Sequence, residues 1–382
     1  VAIKRDGNIF RLFLVSLGIQ LFKSNKKRFV FLKIRTAYIV ILSILFVNGC
    51  SNTSTILDRE TEAELPGPDY TLILYIHGDS DYLFHDSDGN RIQAGQHALR
   101  KAMNVAENAA SGEVFIFHHQ PAKRFLWMVP RRTNQLYHYK NGEKVRHISY
   151  RRSSEKKFME KESGFFREYQ AAGSENGHPA YFAYFGHEIP ASHYPGYNRS
   201  QPDIKVDTET FASGAHSFLE DGKAYDLMIL SSCSNGTPEL VKELDGITRF
   251  LLASPQNLHL SHMDISALNL VETEPGMTGA EIASAIAEDT YERLSESIQT
   301  VISLSVYDME VVRDYIGHLH EETSRYESEE NPNPYRENID CASLPFFDAQ
   351  EFSPGVKTFY RPPRFGNRST GNSHSGWGCK GQ

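Results

Sequence analysis

Residues 225–240 read YDLMILSSCSNGTPEL. Four apolar residues, Leu227 to Leu230, run without a break into Ser231, Ser232, Cys233, Ser234, Asn235 and Gly236, and Pro238 then opens a helical pattern. So short an apolar run, closed by small polar residues, is the pattern of a strand buried on both faces, as in a parallel sheet. Proline near the start of the next element fits a helix that follows at once. Ligands and reactive groups in such sheets gather beyond the carboxyl ends of strands. The small polar knot around Cys233 therefore sits where chemistry is expected.

The neighbouring segments repeat the pattern. Leu72 to Ile76 in YTLILYIHGDSD, Val114 to Phe117 in GEVFIFHHQP and Tyr181 to Phe185 in PAYFAYFGHEIP each read as a short buried strand. Between the first two, residues 93–109 place Ala98, Leu99, Ala102, Val105 and Ala106 at helical spacing, giving a strand–helix–strand unit of a parallel sheet. LYHYKNGEKVRHISY alternates around Asn141-Gly142, a hairpin signal. Helices are expected near 158–172, 208–221 and 238–244, a fifth strand in TRFLLASPQN, a long helix in GAEIASAIAEDTYERLSES, a sixth strand in TVISLSVYD and a helix in MEVVRDYIGHLHEETSRY. The expected class is α/β: an open, mostly parallel sheet flanked by helices, with an inserted β-hairpin.

Charge is divided unevenly. Residues 1–49 carry nine Lys or Arg and one Asp, so the remainder holds 31 basic against 47 acidic residues. A folded part with a net charge of −16 argues against a nucleic-acid partner, which needs clustered positive charge. Lys26, Lys27, Arg28, Lys33 and Arg35 precede an apolar run, Ala37 to Val47, that is short for a membrane-spanning helix and has the form of an export signal. The run ends in Val47, Asn48, Gly49 and Cys50, which resembles a bacterial lipobox; the resemblance implies acylation of Cys50 and a lipid-anchored protein of the bacterial cell envelope. The chain opens with Val1 and its first methionine is Met103, from which an over-extended or non-AUG start is expected. We divide the chain into a signal (1–49), a tether (50–68), a folded domain (69–325) and a C-terminal extension (326–382) without structure from about 361. Cys341 and Cys379 lie in that extension and can pair with each other; Cys233 then stands alone in the folded body.

Three strand ends carry reactive side chains: His77, His187 and Cys233. If the third and fourth strands are neighbours, His187 and Cys233 face one another, as a thiol nucleophile and its imidazole require. Strand-His followed by strand-Cys resembles the clan CD cysteine peptidases, of the caspase-haemoglobinase fold, and most of all their clostripain-like branch. YFAYFGHEIP is similar to that branch's His-Gly strand end, and YDLMILSSCSNGTPEL to its cysteine strand end, a pattern like DACLM…E. LILYIHGDSD and FLLASPQNLHLSHMD fit the opening strand and the strand after the cysteine. The likeness covers about residues 70–320 and rests on order and on the 46 residues from His187 to Cys233. It implies a peptide-bond hydrolase acting on polypeptides with Cys233 as nucleophile and His187 as general acid/base, without cofactor or metal.

Two departures stand out. Glu188 occupies the place of the family's glycine after the histidine, whose N–H serves the oxyanion hole. Ser231 replaces the Asp that gives the clostripain branch its preference for Arg or Lys, so that preference does not transfer. Asp79, Asp81, Ser231, Asn235 and His259 are the candidate substrate-contacting residues. Against these readings stand plainer ones. A cysteine at a strand end is usually structural. His77-Gly78 imitates the His-Gly pair on another strand. Asp79, Asp81, Asp86 and Asp88 imitate a calcium loop without its closing Glu, and His259 with His262 lacks a third zinc ligand. An α/β-hydrolase requires glycines where Ser231 and Asn235 stand. A degenerate peptidase fold serving as a surface-binding lipoprotein is the main alternative to the enzyme.

Overall fold

The structure, a computed structural model, describes residues 67–78, 83–85, 89–120, 124–125, 129–130, 134–151, 157–171, 178–191, 206–260, 262–330, 337–365 and 371–380. The proposed signal, the tether up to residue 66, Cys50, Asp79 and Asp81 lie outside them. By internal contacts the chain divides into Val1–Thr53 and Ser54–Gln382, and all that follows concerns the second unit.

Nine strands form one sheet. In chain order these are β1 (Tyr70–His77), β2 (Gly112–His119), β3 (Asn134–Lys140), β4 (Glu143–Tyr150), β5 (Ala180–Phe185), β6 (Leu227–Ser231), β7 (Phe250–Ala253), β8 (Ile302–Asp308) and β10 (Val356–Arg361), with β9 (Asn338–Asp340) belonging to a separate pair. Across the sheet the order is β10, β8, β7, β6, β5, β1, β2, β3, β4. The central five, β7 to β2, run parallel. Two strands at each edge run antiparallel. The hairpin at 134–150 is therefore an extension of the sheet, turned at Asn141 and Gly142 with φ of 52° and 77°, the positive values a tight hairpin needs.

Helices cover both faces. α1 (Ala94–Asn108) and α5 (Gly279–Ser297) pack with Leu72, Leu74, Ile76, Ile116, Ala183 and Ile229. α1 buries the five apolar positions expected of it. α2 (Glu160–Tyr169), α3 (Thr208–His216), α4 (Pro238–Glu243) and α6 (Met309–Glu330) lie on the face of Ile73, Tyr75, Phe117, Tyr184 and Met228. Alternation of side chains along each fully buried strand explains the split. Local signals set the helix starts: Thr237 caps α4 with Pro238 in its first turn, and Thr278 with Glu281 forms a capping box on α5. Among the described residues no helix is long and apolar enough to cross a membrane.

The C-terminal part departs from expectation. β10 pairs with β8. Residues 371–380, expected to lack structure, include β11 (Gly378–Lys380), which pairs antiparallel with β9. Cys379 is disulfide-bonded to Cys341, and Trp377 is fully buried, its indole N–H donating to the Phe352 carbonyl at 2.7 Å. A buried aromatic and a cross-link offset the ordering cost that composition alone suggested.

Candidate active site

β5 and β6 pair in parallel with Phe185 opposite Ser231. The Gly186 N–H donates to the Ser231 carbonyl at 3.3 Å, carrying the ladder one step past the strands. His187 lies two residues beyond Phe185, and Cys233 two residues beyond Ser231. The two thus leave neighbouring strand ends at the same level, and both line one cleft of about 1250 Å³.

The turn after Cys233 is fixed from several sides. Ser234 takes the left-handed conformation, φ 53°. Its N–H donates to the Gln256 carbonyl at 2.9 Å, and the amides of Asn235 and Gly236 both donate to Ser254 at 2.8 Å. Asn235 ties the two strand ends together: its Oδ1 accepts from the Ile189 N–H at 3.0 Å, and its amide group donates to Ser232 Oγ. Ser231 Oγ donates to the Leu260 carbonyl at 3.0 Å. Ser231 and Asn235 are both fully buried and are absent from the cleft lining. Their side chains are spent on holding the floor together: Ser231 on the Leu260 carbonyl, Asn235 on Ile189 and Ser232.

Cys233 is partly buried, and its thiol donates to the Leu258 carbonyl at 3.2 Å. Burial pushes the thiol above its ordinary value; the bond to Leu258 works against this, while the charges of Glu188 and Glu337 add to it. His259 lines the same cleft. Burial, reinforced by the fields of His262, His187 and His97, pulls its pKa down to about 4. His262, 5.4 Å away ring to ring, is likewise lowered to about 4 by burial and by Arg293. Both imidazoles are therefore neutral near pH 7. Glu188 meets Lys380 Nζ at 2.9 Å, and Glu337 accepts from the Asn257 amide at 2.8 Å.

His77 sits elsewhere. It is buried beneath the β1 end, with Nδ1 3.2 Å from the Tyr184 hydroxyl. Sequence reading missed the second wall of the cleft, where Glu337, Asn338, Ile339 and Asp340 face the strand ends. Their support comes from the C-terminal pair: Asn338 Nδ2 donates to the carbonyls of Pro255 (3.1 Å) and Ser234 (3.4 Å), and the Gly378 N–H donates to Gly236 at 2.8 Å. The signal was present in SGWGCKG, where a tryptophan and a cysteine interrupt a polar tail. Among the described residues no group of three or more His, Cys, Asp or Glu could hold a metal. The site offers a thiol, an imidazole at the adjacent strand end, and a Cys233 N–H without a backbone acceptor among the described residues.

Neither a protein-family model nor a curated protein matches the sequence. Among solved structures, the fold is similar to a secreted C11 cysteine protease from Bacteroides thetaiotaomicron, "iotapain", at 12% identity and TM-score 0.49, over 82% of this chain and 94% of that one. A structure of a secreted C11 cysteine protease from the same organism, with an irreversible peptide inhibitor, matches at 12% identity and TM-score 0.46, over 64% and 67% of the two chains. An inactive zymogen C11 protease from Parabacteroides distasonis matches at 11% identity and TM-score 0.44, over 68% and 66%.

Proposed function

We propose that the chain is a cysteine peptidase, with Cys233 as nucleophile and His187 as general acid and base, held at a bacterial cell envelope by a lipid on Cys50. One observation carries the catalytic part: the register that puts Phe185 opposite Ser231 brings His187 and Cys233 to one level above adjacent parallel strands. In this mechanism His187 takes the thiol proton as sulfur attacks the scissile carbonyl carbon. The Cys233 N–H donates to the oxygen that gains charge. As the C–N bond breaks, the imidazolium returns the proton to the leaving amine. Water, deprotonated by the same imidazole, then hydrolyses the thioester and frees the thiol. The cleft takes a polypeptide in extended form along Cys233, His259 and the Glu337–Asp340 wall. The neutral state of His259 suits it to contact substrate by hydrogen bonds.

A second reading, a binding lipoprotein that keeps the fold without the reaction, is favoured by the raised thiol pKa and the Glu188 carboxylate beside it. An activated thiol needs the opposite field. Labelling with iodoacetamide near pH 7, together with a fluorogenic peptide library, separates the two. The peptidase is expected to label at Cys233 and to cleave. A folded protein that labels no faster than a simple thiol and leaves the library intact is the binding protein. The lipid on Cys50 is read from the mass of the mature N-terminus, where a peptide crossing Gly49-Cys50 would count against it.

A further inference from the structure

We infer that Lys380 is a positioning residue for Cys233: by pairing with Glu188 it offsets part of the field of the carboxylate that follows His187, and so eases ionisation of the thiol at the neighbouring strand end. This deepens the reading of Cys233 as nucleophile and rests on it.

The geometry that carries the inference is local and doubly anchored. Lys380 Nζ lies 2.9 Å from Glu188 Oε1, with only 12% of the lysine side chain exposed against 38% of the glutamate. The lysine is brought there by β11, whose register sets Lys380 opposite Asn338. Asn338 in turn bonds the Ser234 carbonyl, one residue past Cys233. Cys379, the residue before Lys380, is buried and fastened to Cys341, and the Lys380 N–H donates to Glu327 Oε1 at 3.4 Å. The strand that carries the ammonium is thus held by its pairing, its disulfide and its own N–H, so an ion pair that would be weak between two free surface side chains keeps one geometry.

The charges around the thiol give the pairing its consequence. Glu188 and Glu337 both act on Cys233, and Asp340, His187 and His259 line the same cleft. Glu337 is met by the neutral Asn257 amide, and Asp340 accepts from the Ser375 N–H and hydroxyl. Glu188 is met by a full positive charge. Glu327 also faces Lys380; burial pushes its carboxyl up, while the Lys380 N–H and charge pull it down. The resemblance read from the sequence implies a glycine where Glu188 stands, and the structure pairs Glu188 with a counter-charge.

The test reads the thiol itself. The rate of Cys233 alkylation by iodoacetamide is measured against pH in the full chain with its disulfide intact. Lys380→Met is expected to move the profile to higher pH and slow labelling at pH 7 by about threefold, the size of a partly screened single charge. Glu188→Gln is expected to move it the other way by a similar factor. The double variant, which lacks both charges, should fall between the two single variants and near wild type, and Lys380→Arg should keep the wild-type profile. If the pair served only to hold the loop, both single variants would shift the profile in the same direction or not at all, and either result overturns the inference. Should Lys380→Met fail to fold, Glu188→Gln alone decides: an unchanged or slower rate overturns it. Peptide hydrolysis is scored separately. A protein that cleaves nothing but shows these opposite shifts refutes the peptidase and keeps the charge pairing.

Discussion

At the β5 end a histidine follows a buried strand and lines an open cleft, whereas at the ends of β1 and β2 three histidines are shut in. His77 bonds Tyr184, and His119 Nε2 lies 3.1 Å from Glu162 Oε1, which also accepts from the Tyr150 hydroxyl at 2.8 Å. The Tyr75 ring packs 4.9 Å from His119, and His77 stands edge-on to His119 at 5.8 Å. His118 faces the opposite side, against α1. Even the glycine of His77-Gly78 has a packing reason: a side chain there would press on Gly95 and on the His119 carbonyl. The same dipeptide that resembles a catalytic motif is, on β1, a close approach of strand end to helix start. What separates the two ends is the neighbour. β5 borders the cysteine strand and β1 borders a strand ending in more histidines.

The sharpest way to break this contrast is kinetic. Cys233→Ala is expected to abolish peptide hydrolysis. His187→Ala should lower kcat/KM by about 10²–10⁴-fold, the usual worth of a general base, and adding it to Cys233→Ala should cost nothing more. His77→Phe should leave kcat/KM unchanged per folded molecule. Activity that survives His187→Ala and dies with His77→Phe would reverse the assignment.

Stability should sort the two ends the other way. Replacing both Cys341 and Cys379 by alanine opens a loop of 38 residues and is expected to cost about 4 kcal/mol in urea unfolding, by loop-closure entropy. Glu162→Ala should cost about 3 kcal/mol, because it strands a buried partner. Burial alone would push the Glu162 carboxyl up, but the His119 charge and the bonds from His119 and Tyr150 hold it below the ordinary range. A depressed carboxyl stabilises the fold above its unfolded pKa, and that contribution is lost as pH falls through the folded value. Acid unfolding of Glu162→Ala should therefore lack this step. A variant as stable as wild type would mean that the β1–β2 end is not held by its ion pair.

Much of the parallel centre was legible because its strands are apolar without interruption and its helices carry plain caps. Tyr181 to Phe185 and Leu227 to Leu230 needed no tertiary information. The edges were harder. VKTFYR, residues 356–361, has no unbroken apolar run and becomes a strand because β8 offers it an edge. Ser231 and Asn235 were placed at the site by position, yet what their side chains meet depends on which backbone groups lie behind them, the Leu260 carbonyl for one and the Ile189 N–H for the other. The wall at 337–340 was invisible because it is recruited across more than 100 residues by the bond of Asn338 to Ser234. Polar composition beyond 361 concealed the burial of Trp377, which acts with the Cys341–Cys379 pair, open to sequence reading, to order residues 371–380.

The smallest expected effect concerns His118 and joins the two ends of the comparison. His118 is fully buried on β2. Burial, with the His119 charge adding to it, lowers its pKa from 6.5 to about 4. The cleft residues His259 and His262 are lowered to about 4 as well. Between those values the unfolded chain binds protons that the folded chain refuses, so stability is fully present above about 6.5 and falls as pH drops toward 4. Each such group contributes at most about 1.4 kcal/mol per pH unit, so one unit of acidification, to pH 5.5, should cost roughly 1 kcal/mol per histidine. His118→Leu replaces the imidazole with an apolar side chain and should flatten the pH slope of unfolding by that one share. His262→Leu should flatten it equally while also altering KM, since His262 lines the cleft. His118 lies outside the cleft lining, so its replacement should leave KM alone. An unchanged slope in His118→Leu would show that the closed end takes up its proton as readily folded as unfolded.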